Sequence, residues 1–236
     1  MQKKLAIFAS GSGSNAENIC NYFENSSDIR VVLICTNKPD AFIVKRAKKL
    51  NIPVIFITKY ELNNFDNLHQ KLQNAKVDAI ILAGFLLKLP AIMVENYPNR
   101  ILNIHPSLLP KYGGKGMYGS KVHKAVLENN ETESGISIHF VNKNYDEGEI
   151  ILQKKCVISG TETLDTLTEK IHQLEHTYFP VTIEKILKII KQSRKFKFDC
   201  SLVIILFALN KKIIQIKKIK RMLNNKSDLK ILKKNK

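Results

Sequence analysis

Residues 5–15 have the sequence LAIFASGSGSN, in which a short apolar run leads directly into a glycine-rich turn. The apolar residues 5–8 predict a short buried strand. Residues 11–15 then predict a loop that opens a helix ending near Phe23. This strand–turn–helix order is typical of an α/β domain.

Strand and helix signals alternate along the chain that follows. The predicted strands lie at residues 30–35, 53–57, 77–84, 101–105, 136–141 and 149–158. The predicted helices lie at residues 41–50, 65–73 and 120–128. A long helix is predicted from about Thr163, and we expect it to bend at Pro180, whose ring disrupts the helix ladder. The alternation predicts an α/β fold with a doubly wound, mostly parallel sheet, a C-terminal helix and a basic extension.

The turn after the first strand is a candidate anion site. Glycines let the backbone turn tightly, and free amides at a helix start point at an anion, so a phosphate fits at residues 10–15. The alternative is a tight turn without a ligand. No Gly-Lys-Ser/Thr follows, and the spacing G-x-G-x-x-G is absent, so the pattern disfavours a nucleotide cofactor.

Residues 102–110, LNIHPSLLP, carry the second motif, just before a glycine-rich loop at 111–119. Asn103 and His105 alternate at the end of an apolar strand, so their side chains project from one face. An amide stabilises an oxyanion there, and an imidazole moves a proton. The alternative is a core histidine bonded to a backbone carbonyl, but its pairing with Asn103 favours catalysis.

Residues 135–153, GISIHFVNKNYDEGEIILQ, place Asp146 in a turn between two strands. By itself, Asp146 is also compatible with an ordinary turn aspartate. Taken together, the three motifs resemble the folate-dependent formyltransferases, and within them the phosphoribosylglycinamide formyltransferases. The resemblance runs from Lys3 to about Leu187.

The resemblance implies a Rossmann-like formyltransferase fold and a role in de novo purine biosynthesis. The implied reaction transfers the formyl group of 10-formyltetrahydrofolate, the co-substrate, to the amine of 5′-phosphoribosylglycinamide. No metal is expected. In this family pattern Asn103 donates to the developing oxyanion, His105 assists that oxygen and the proton movement, and Asp146 orients His105 and a water.

The resemblance also assigns residues to the phosphorylated substrate. Gly13, Ser14 and Asn15 match a Gly-Ser-Asn that holds the 5′-phosphate. Glu175 matches a glutamate that binds ribose hydroxyls, although by itself it would be interpreted as an exposed helix carboxylate. His172 stands where a glutamine is common.

The folate pocket is expected from two segments and Asn103. Backbone groups of the first segment meet the pterin in this family, and the second segment forms the opposite wall. The expected folate-binding residues are Leu86, Leu87, Lys88, Leu89, Asn103, Asn142, Lys143, Asn144 and Tyr145. Leu87 stands where relatives often carry an arginine, so an ion pair to the glutamate tail of folate would fall to Lys88, as a point charge.

Four other histidines, at positions 69, 123, 139 and 176, lack comparable neighbours and are interpreted as structural or surface residues. His139 alternates with Ile138 and Phe140, which predicts an ordinary sheet position.

Three rival functions stay open. Methionyl-tRNA formyltransferases suit a basic C-terminal region, but that family carries a further C-terminal barrel and lacks the Gly-Ser-Asn loop. Formyltetrahydrofolate deformylases carry an additional N-terminal domain, whereas this chain begins on the first strand. A noncatalytic member with an RNA- or membrane-binding tail is the third, and the intact Asn103, His105 and Asp146 argue against it.

The formal net charge of +17 is concentrated in a tail. Residues 191–236 hold 15 of the 38 basic residues and two of the 21 acidic ones, which leaves +4 for residues 1–190. We therefore predict a catalytic domain at 1–190 and a basic extension at 191–236. Residues 213–223 have partial helical amphipathicity, which is compatible with RNA or an anionic membrane surface, but we favour a solvated extension without a selected role.

The four cysteines have no paired spacing, which favours reduced thiols over a disulfide framework or a zinc site. No signal peptide is recognised, and the apolar run at 200–209 is too short to span a bilayer as a helix. We expect a cytoplasmic enzyme of small-molecule substrates that is a monomer or a weak homodimer.

Overall fold

The computed structural model describes residues 2–195 of the 236-residue chain. Within these residues one sheet contains the strands β1 (Lys3–Phe8), β2 (Ile29–Thr36), β3 (Val54–Phe56), β4 (Ala79–Leu82), β5 (Ile101–His105), β6 (Glu133–Phe140) and β7 (Ile150–Val157). The helices are α1 (Ser14–Phe23), α2 (Phe42–Lys49), α3 (Lys59–Asn63), α4 (Asp66–Asn74), α5 (Ala91–Asn96), α6 (Ser120–Glu128) and α7 (Leu164–Lys195).

The strand order across the sheet is β3-β2-β1-β4-β5-β6-β7. Strands β1 to β5 are parallel to one another, whereas β6 is antiparallel to both β5 and β7. The order reverses at β1, which lies between β2 and β4, and this reversal defines a doubly wound sheet. The predicted fold class, a doubly wound and mostly parallel sheet, is confirmed.

The first strand shows why the sequence pattern identified this fold. Ala6 and Phe8 are fully buried in a cluster that includes Leu72 of α4 and Met93 of α5. Leu5 and Ile7 are also fully buried, and alternate strand residues point to opposite faces. A strand buried on both faces carries an unbroken apolar run, as residues 5–8 do.

Two short helices, α3 and α5, were not predicted from the sequence. Helix α3 has five residues and α5 has six, so neither shows a full period of apolar spacing. A local signal for α3 was present, because Thr58 and Glu61 form a capping box at its start. Helix α6 and the antiparallel pair β6–β7 lie where the sequence placed them.

Helices α1 and α7 are joined by a row of side-chain hydrogen bonds. Asn15, Asn18 and Tyr22 of α1, three and four residues apart and therefore on one face, bond to α7. The Asn18 side-chain amide donates to the backbone carbonyl of His176 over 2.9 Å. That carbonyl lies four residues before Pro180, which has no N–H to offer it. Helix α7 therefore continues through Pro180, with Asn18 replacing the missing donor.

The chain divides into two units, Met1–Lys185 and Ile186–Lys236. The predicted boundary after residue 190 lies a few residues beyond this division. Residues 191–195 continue α7, and the rest of the predicted basic extension, with its amphipathic segment 213–223, lies outside the described residues. In the described part of the chain, every helix is too short or too polar to cross a bilayer.

We expect Asn18→Ala to lower the free energy of unfolding by about 1–2 kcal/mol, because it leaves the His176 carbonyl unpaired. Urea unfolding measures this cost. In a Pro180→Ala background the same change costs less, since the restored amide of residue 180 bonds to that carbonyl. Asn21→Ala, an exposed change on the same helix, is the control. Equal costs of Asn18→Ala in the two backgrounds would show that Asn18 does not compensate for the proline.

Candidate active site

The carboxyl ends of β1, β4 and β5 open into one cavity of about 550 Å³. It lies where the strand order reverses, which is the usual ligand site of a doubly wound sheet. The loop after β1 and the loop after β4 form two of its walls. Strand β6, the turn that follows it and the glycine-rich loop before α6 complete the enclosure.

The cavity brings together nearly all the residues that the sequence singled out. These are Gly13, Ser14, Asn15, Leu86, Leu87, Lys88, Leu89, Asn103, His105, Asn142, Asn144, Tyr145, Asp146 and Glu175. Lys143 is the exception, since it lines an adjoining cavity instead.

The loop after β1 needs glycine at position 13. Gly13 has a φ of 75°, and a Cβ there would lie 2.4 Å from Cδ1 of Ile43 in α2. A residue with a side chain would therefore be strained and would clash. Helix α1 begins at Ser14, and its first two residues line the cavity, so the positive end of the helix favours an anion there.

The side chain of Asn15 is directed to Glu175 of α7. Its Nδ2 donates to Glu175 Oε2 over 2.8 Å, while its Oδ1 is buried without a partner among the described residues. Glu175 is only 6% exposed, and this burial raises its pKa to about 7. Near neutral pH, Glu175 is therefore partly protonated and can both donate and accept a hydrogen bond.

His105 has one ring nitrogen fixed and one available. Its Nε2 lies 2.7 Å from the backbone carbonyl of Tyr112, which can only accept, so Nε2 carries a proton. The Nδ1 atom lies 3.6 Å from Oδ2 of Asp146. Burial lowers the pKa of His105, although Asp146 opposes the shift. A neutral imidazole with Nδ1 free can take a proton, and Asp146 stabilises the resulting charge.

Asp146 is a carboxylate held by several donors. Burial raises its pKa, but the contacts with His139 and His105 and the backbone amide of Gly114 outweigh burial and lower it overall. The Gly114 amide donates to Oδ2 over 2.9 Å. Asp146 therefore remains ionised in a largely enclosed position.

In the turn that carries Asp146, the backbone at Gly148 packs closely against the backbone of Phe140. Asp146 itself has a φ of 54°, an uncommon value for a residue with a side chain. A Cβ at Gly148 would lie 1.6 Å from the carbonyl oxygen of Phe140. The glycine two residues after Asp146 is therefore a steric requirement of this turn.

Asn103 connects the Asp146 carboxylate to a further histidine. Its Nδ2 lies 3.1 Å from Nε2 of His139 and 3.3 Å from Oδ1 of Asp146. His139 was interpreted from sequence as an ordinary sheet residue. It does lie in β6, but its ring belongs to the Asn103–Asp146 cluster, and the signal for this was the cross-strand pairing of β5 with β6.

His123 of α6 is a second cavity residue that the sequence did not indicate. It is 2% exposed, burial lowers its pKa to about 4, and its Nδ1 has no partner among the described residues. His172 also lines the cavity. Both histidines therefore belong to the lining of the cavity that the sequence motifs indicated.

A second, basic cavity adjoins the segments where the sequence predicted folate binding. Lys88 Nζ lies 5.3 Å from the centre of the Tyr145 ring, a cation–π contact. Residues Leu86 to Leu89 and Tyr145 also line a second cavity of about 480 Å³, together with Lys59 and Lys143. Its lining contains these three lysines and no acidic residue.

Metal ligands are not grouped anywhere in residues 2–195: no three His, Cys, Asp or Glu side chains there are placed to hold an ion.

Comparison with known proteins gives consistent matches. Residues 3–183 match the family model described as formyl transferase. The chain is 33% identical to the phosphoribosylglycinamide formyltransferase of Bacillus subtilis, over 82% of this chain and 99% of that protein. It is 41% identical to the chloroplastic phosphoribosylglycinamide formyltransferase of Arabidopsis thaliana, over 75% of this chain. It spans only 63% of that plant protein and 60% of the one from Vigna unguiculata.

Solved structures agree with these matches. The crystal structure of phosphoribosylglycinamide formyltransferase from Bacillus halodurans superposes with a TM-score of 0.71 and 35% identity. The match covers 78% of this chain and 95% of that one.

The raised pKa of Glu175 predicts a pH-dependent stability. A carboxyl whose folded pKa lies above its unfolded value contributes stability at low pH that is lost as pH rises toward about 7. We expect Glu175→Gln to abolish this loss, on the order of 3 kcal/mol between pH 5 and 8. Urea unfolding across that range measures it, with the exposed Glu128→Gln as control. If wild type and Glu175→Gln showed the same pH slope, Glu175 would ionise normally.

Proposed function

The chain belongs to the formyl transferase family, and we propose that it transfers the formyl group of 10-formyltetrahydrofolate to the primary amine of 5′-phosphoribosylglycinamide. The observation that carries this proposal is the joining of two sites in one cavity. An Asn103–His105–Asp146 cluster lies at one end, and the amide-lined start of α1 lies at the other. The first suits acyl transfer, and the second suits a phosphate.

The reaction requires one C–N bond to form and another to break. The substrate amine attacks the formyl carbon, so negative charge develops on the formyl oxygen. Asn103 donates an N–H to that oxygen. The bond from the formyl carbon to N10 of the folate then breaks, the attacking amine loses a proton, and N10 gains one.

His105 and Asp146 handle the protons of this exchange. Since Nε2 of His105 is committed to the Tyr112 carbonyl, Nδ1 is the atom that accepts a proton. An imidazolium formed there faces the ionised Asp146 at 3.6 Å, which stabilises the charge. Asp146 also holds a water for delivery of the proton to N10.

The phosphate and the ribose occupy the other end of the cavity. The backbone amides of Gly13, Ser14 and Asn15 bind the 5′-phosphate. Glu175, buried and partly protonated near neutral pH, bonds to ribose hydroxyls as donor or acceptor. Because Asn15 Nδ2 is committed to Glu175, its side chain orients that carboxyl and leaves phosphate binding to the backbone.

The pterin of the co-substrate lies between the segment Leu86–Leu89 and the turn Asn142–Tyr145, with Asn103 beside it. The glutamate tail of folate carries carboxylates, and three lysines surround the adjoining cavity. Lys59, Lys88 and Lys143 are therefore its proposed partners, which adds two lysines to the contact at Lys88 expected from sequence.

We further propose a cytoplasmic location and a monomer or weak homodimer. Cys20 and Cys35 are buried free thiols, which suits a reducing compartment.

The proposed function is tested by one assay on the purified full chain. It is given 10-formyltetrahydrofolate with either phosphoribosylglycinamide or methionyl-tRNA, and formylated product is measured. Product from the first acceptor alone is expected. Product from methionyl-tRNA, or hydrolysis of the formyl folate without either acceptor, would contradict the proposal.

Loss of a catalytic group should reduce kcat strongly. We expect Asn103→Ala to lower kcat by about 10²–10³, as removal of one oxyanion donor does. Asp146→Asn should lower kcat by at least about a hundredfold, because it removes the charge facing His105. Glu147→Gln, an exposed neighbour in the same turn, is the matched control. A folded Asp146→Asn enzyme with the kcat of Glu147→Gln would remove Asp146 from the mechanism.

Removing lysines of the adjoining cavity should change only the KM for 10-formyltetrahydrofolate. We expect the double change Lys88→Gln/Lys143→Gln to raise the KM for 10-formyltetrahydrofolate several-fold, with kcat and the other KM little changed. The effect should shrink as the Debye length falls from about 30 to 8 Å on addition of salt. Lys48→Gln, an exposed lysine on α2, is the control. A KM that does not move at either salt concentration excludes these lysines.

A further inference from the structure

The donor and acceptor roles of the His139 ring are fixed by its surroundings. The side chain is 2% exposed. Its Nδ1 lies 2.8 Å from the backbone carbonyl of Phe140, which can only accept a hydrogen bond. Nδ1 therefore carries the proton, and in the neutral ring Nε2 is an acceptor.

The acceptor Nε2 is directed at the amide of Asn103. The distance from Nε2 to Asn103 Nδ2 is 3.1 Å, whereas Nε2 is 3.7 Å from Asp146 Oδ1. Asn103 rather than Asp146 is therefore the nearer partner of Nε2. Nε2 and Asp146 each accept one N–H of the same amide group, and the bond to Asp146, at 3.3 Å, is the longer of the two.

The backbone around His139 fixes the position of its ring relative to Asn103. Asn103 and His139 are direct partners in the β5–β6 ladder, so their side chains lie on the same face. A Cβ at position 148 would lie 3.3 Å from Nδ1 of His139 and would collide with the Phe140 carbonyl. Gly148 therefore preserves both the ring position and the carbonyl that selects its tautomer.

We propose that His139 is a positioning residue for formyl transfer, which anchors one N–H of Asn103 so that the other is presented to the formyl oxygen. This inference rests on the proposed function. The presented N–H is the one that faces Asp146, where the longer bond is the easier to exchange for the developing oxyanion. Without the anchor, the Asn103 amide is free to rotate, and its carbonyl oxygen would then meet the oxyanion.

Replacing His139 by glutamine or by asparagine tests the roles of its two ring nitrogens separately. The amide end of a glutamine reaches the place of Nε2, whereas the shorter asparagine reaches only the place of Nδ1. We expect His139→Gln to keep kcat within a few-fold of wild type and His139→Asn to lower it by about tenfold or more, with both KM values little changed. Equal kcat values for the two variants would overturn the proposal. Ser134→Ala, a buried change on the same strand, is the control and should keep the wild-type kcat.

Coupling to Asn103 distinguishes positioning from a general structural effect. In an Asn103→Ala background the difference between His139→Gln and His139→Asn should disappear, because no amide remains to be oriented. A difference that persists there would overturn the proposal. If the wild-type chain showed no formyl transfer at all, the proposed function would fail instead.

A spectroscopic readout does not depend on activity. Two-dimensional ¹H–¹⁵N spectra of the imidazole rings distinguish the two neutral tautomers, and the Nδ1–H form is expected for His139. The Nε2–H form would overturn the proposal. Should His139→Asn fail to fold, this measurement on the wild-type protein decides the question.

Discussion

The ionised carboxylate of Asp146 imposes the strictest demand on this structure, because it is charged in a position that is largely removed from water. Burial opposes its ionisation, and only the donors around it reverse that effect. The groups around Asp146 come from three places in the fold: Asn103 and His105 from the end of β5, His139 from β6, and Gly114 from the loop before α6. The β5–β6 register, the glycine loop and the tight turn at Gly148 must all be in place before the charge is tolerated. The geometry of the cluster around Asp146 therefore depends on the fold at this edge of the sheet.

The cavity holds two carboxyl groups whose pKa values are shifted in opposite directions. Asp146 meets a side-chain amide, a backbone amide and two imidazoles, and its pKa is lowered. Glu175 is more completely buried and receives one neutral amide donor, from Asn15, so burial dominates and its pKa rises to about 7. One group is thus suited to stabilising positive charge near the reacting atoms. The other is suited to bonding neutral hydroxyls. Residue type alone does not distinguish these roles, since the difference lies in what each carboxyl touches.

The sequence predicted those features that depend on local pattern. The apolar run at 5–8, the glycine turn after it and the alternation of strands and helices were enough for the doubly wound sheet. The motif around Asn103 and His105 and the turn around Asp146 identified the residues that meet in the cavity. His139 and His123 were missed because their roles arise from contacts across strands and between elements that no local spacing records. The same is true of Asn18, whose importance depends on a proline in a helix more than 150 residues away. Lys59 was missed because it joins Lys88 and Lys143 only once α3 packs beside the loop after β4.

Parallel and antiparallel strand pairing contribute different parts of the site. Parallel strands β1 and β4 end at the same edge, so the loops after them form facing walls of the cavity. A parallel strand beyond β5 would send its own loop to that edge as another wall. Strand β6 instead runs antiparallel and places His139 directly opposite Asn103, within the sheet itself. The turn after β6 then folds back to deliver Asp146 to both Asn103 and His105. Residues held by a ladder are more rigid than residues on loops, and groups that act on the reacting atoms need that rigidity more than groups that bind the ends of a ligand. The antiparallel addition at this edge is therefore the feature that brings Asn103, His105, His139 and Asp146 together beside the cavity.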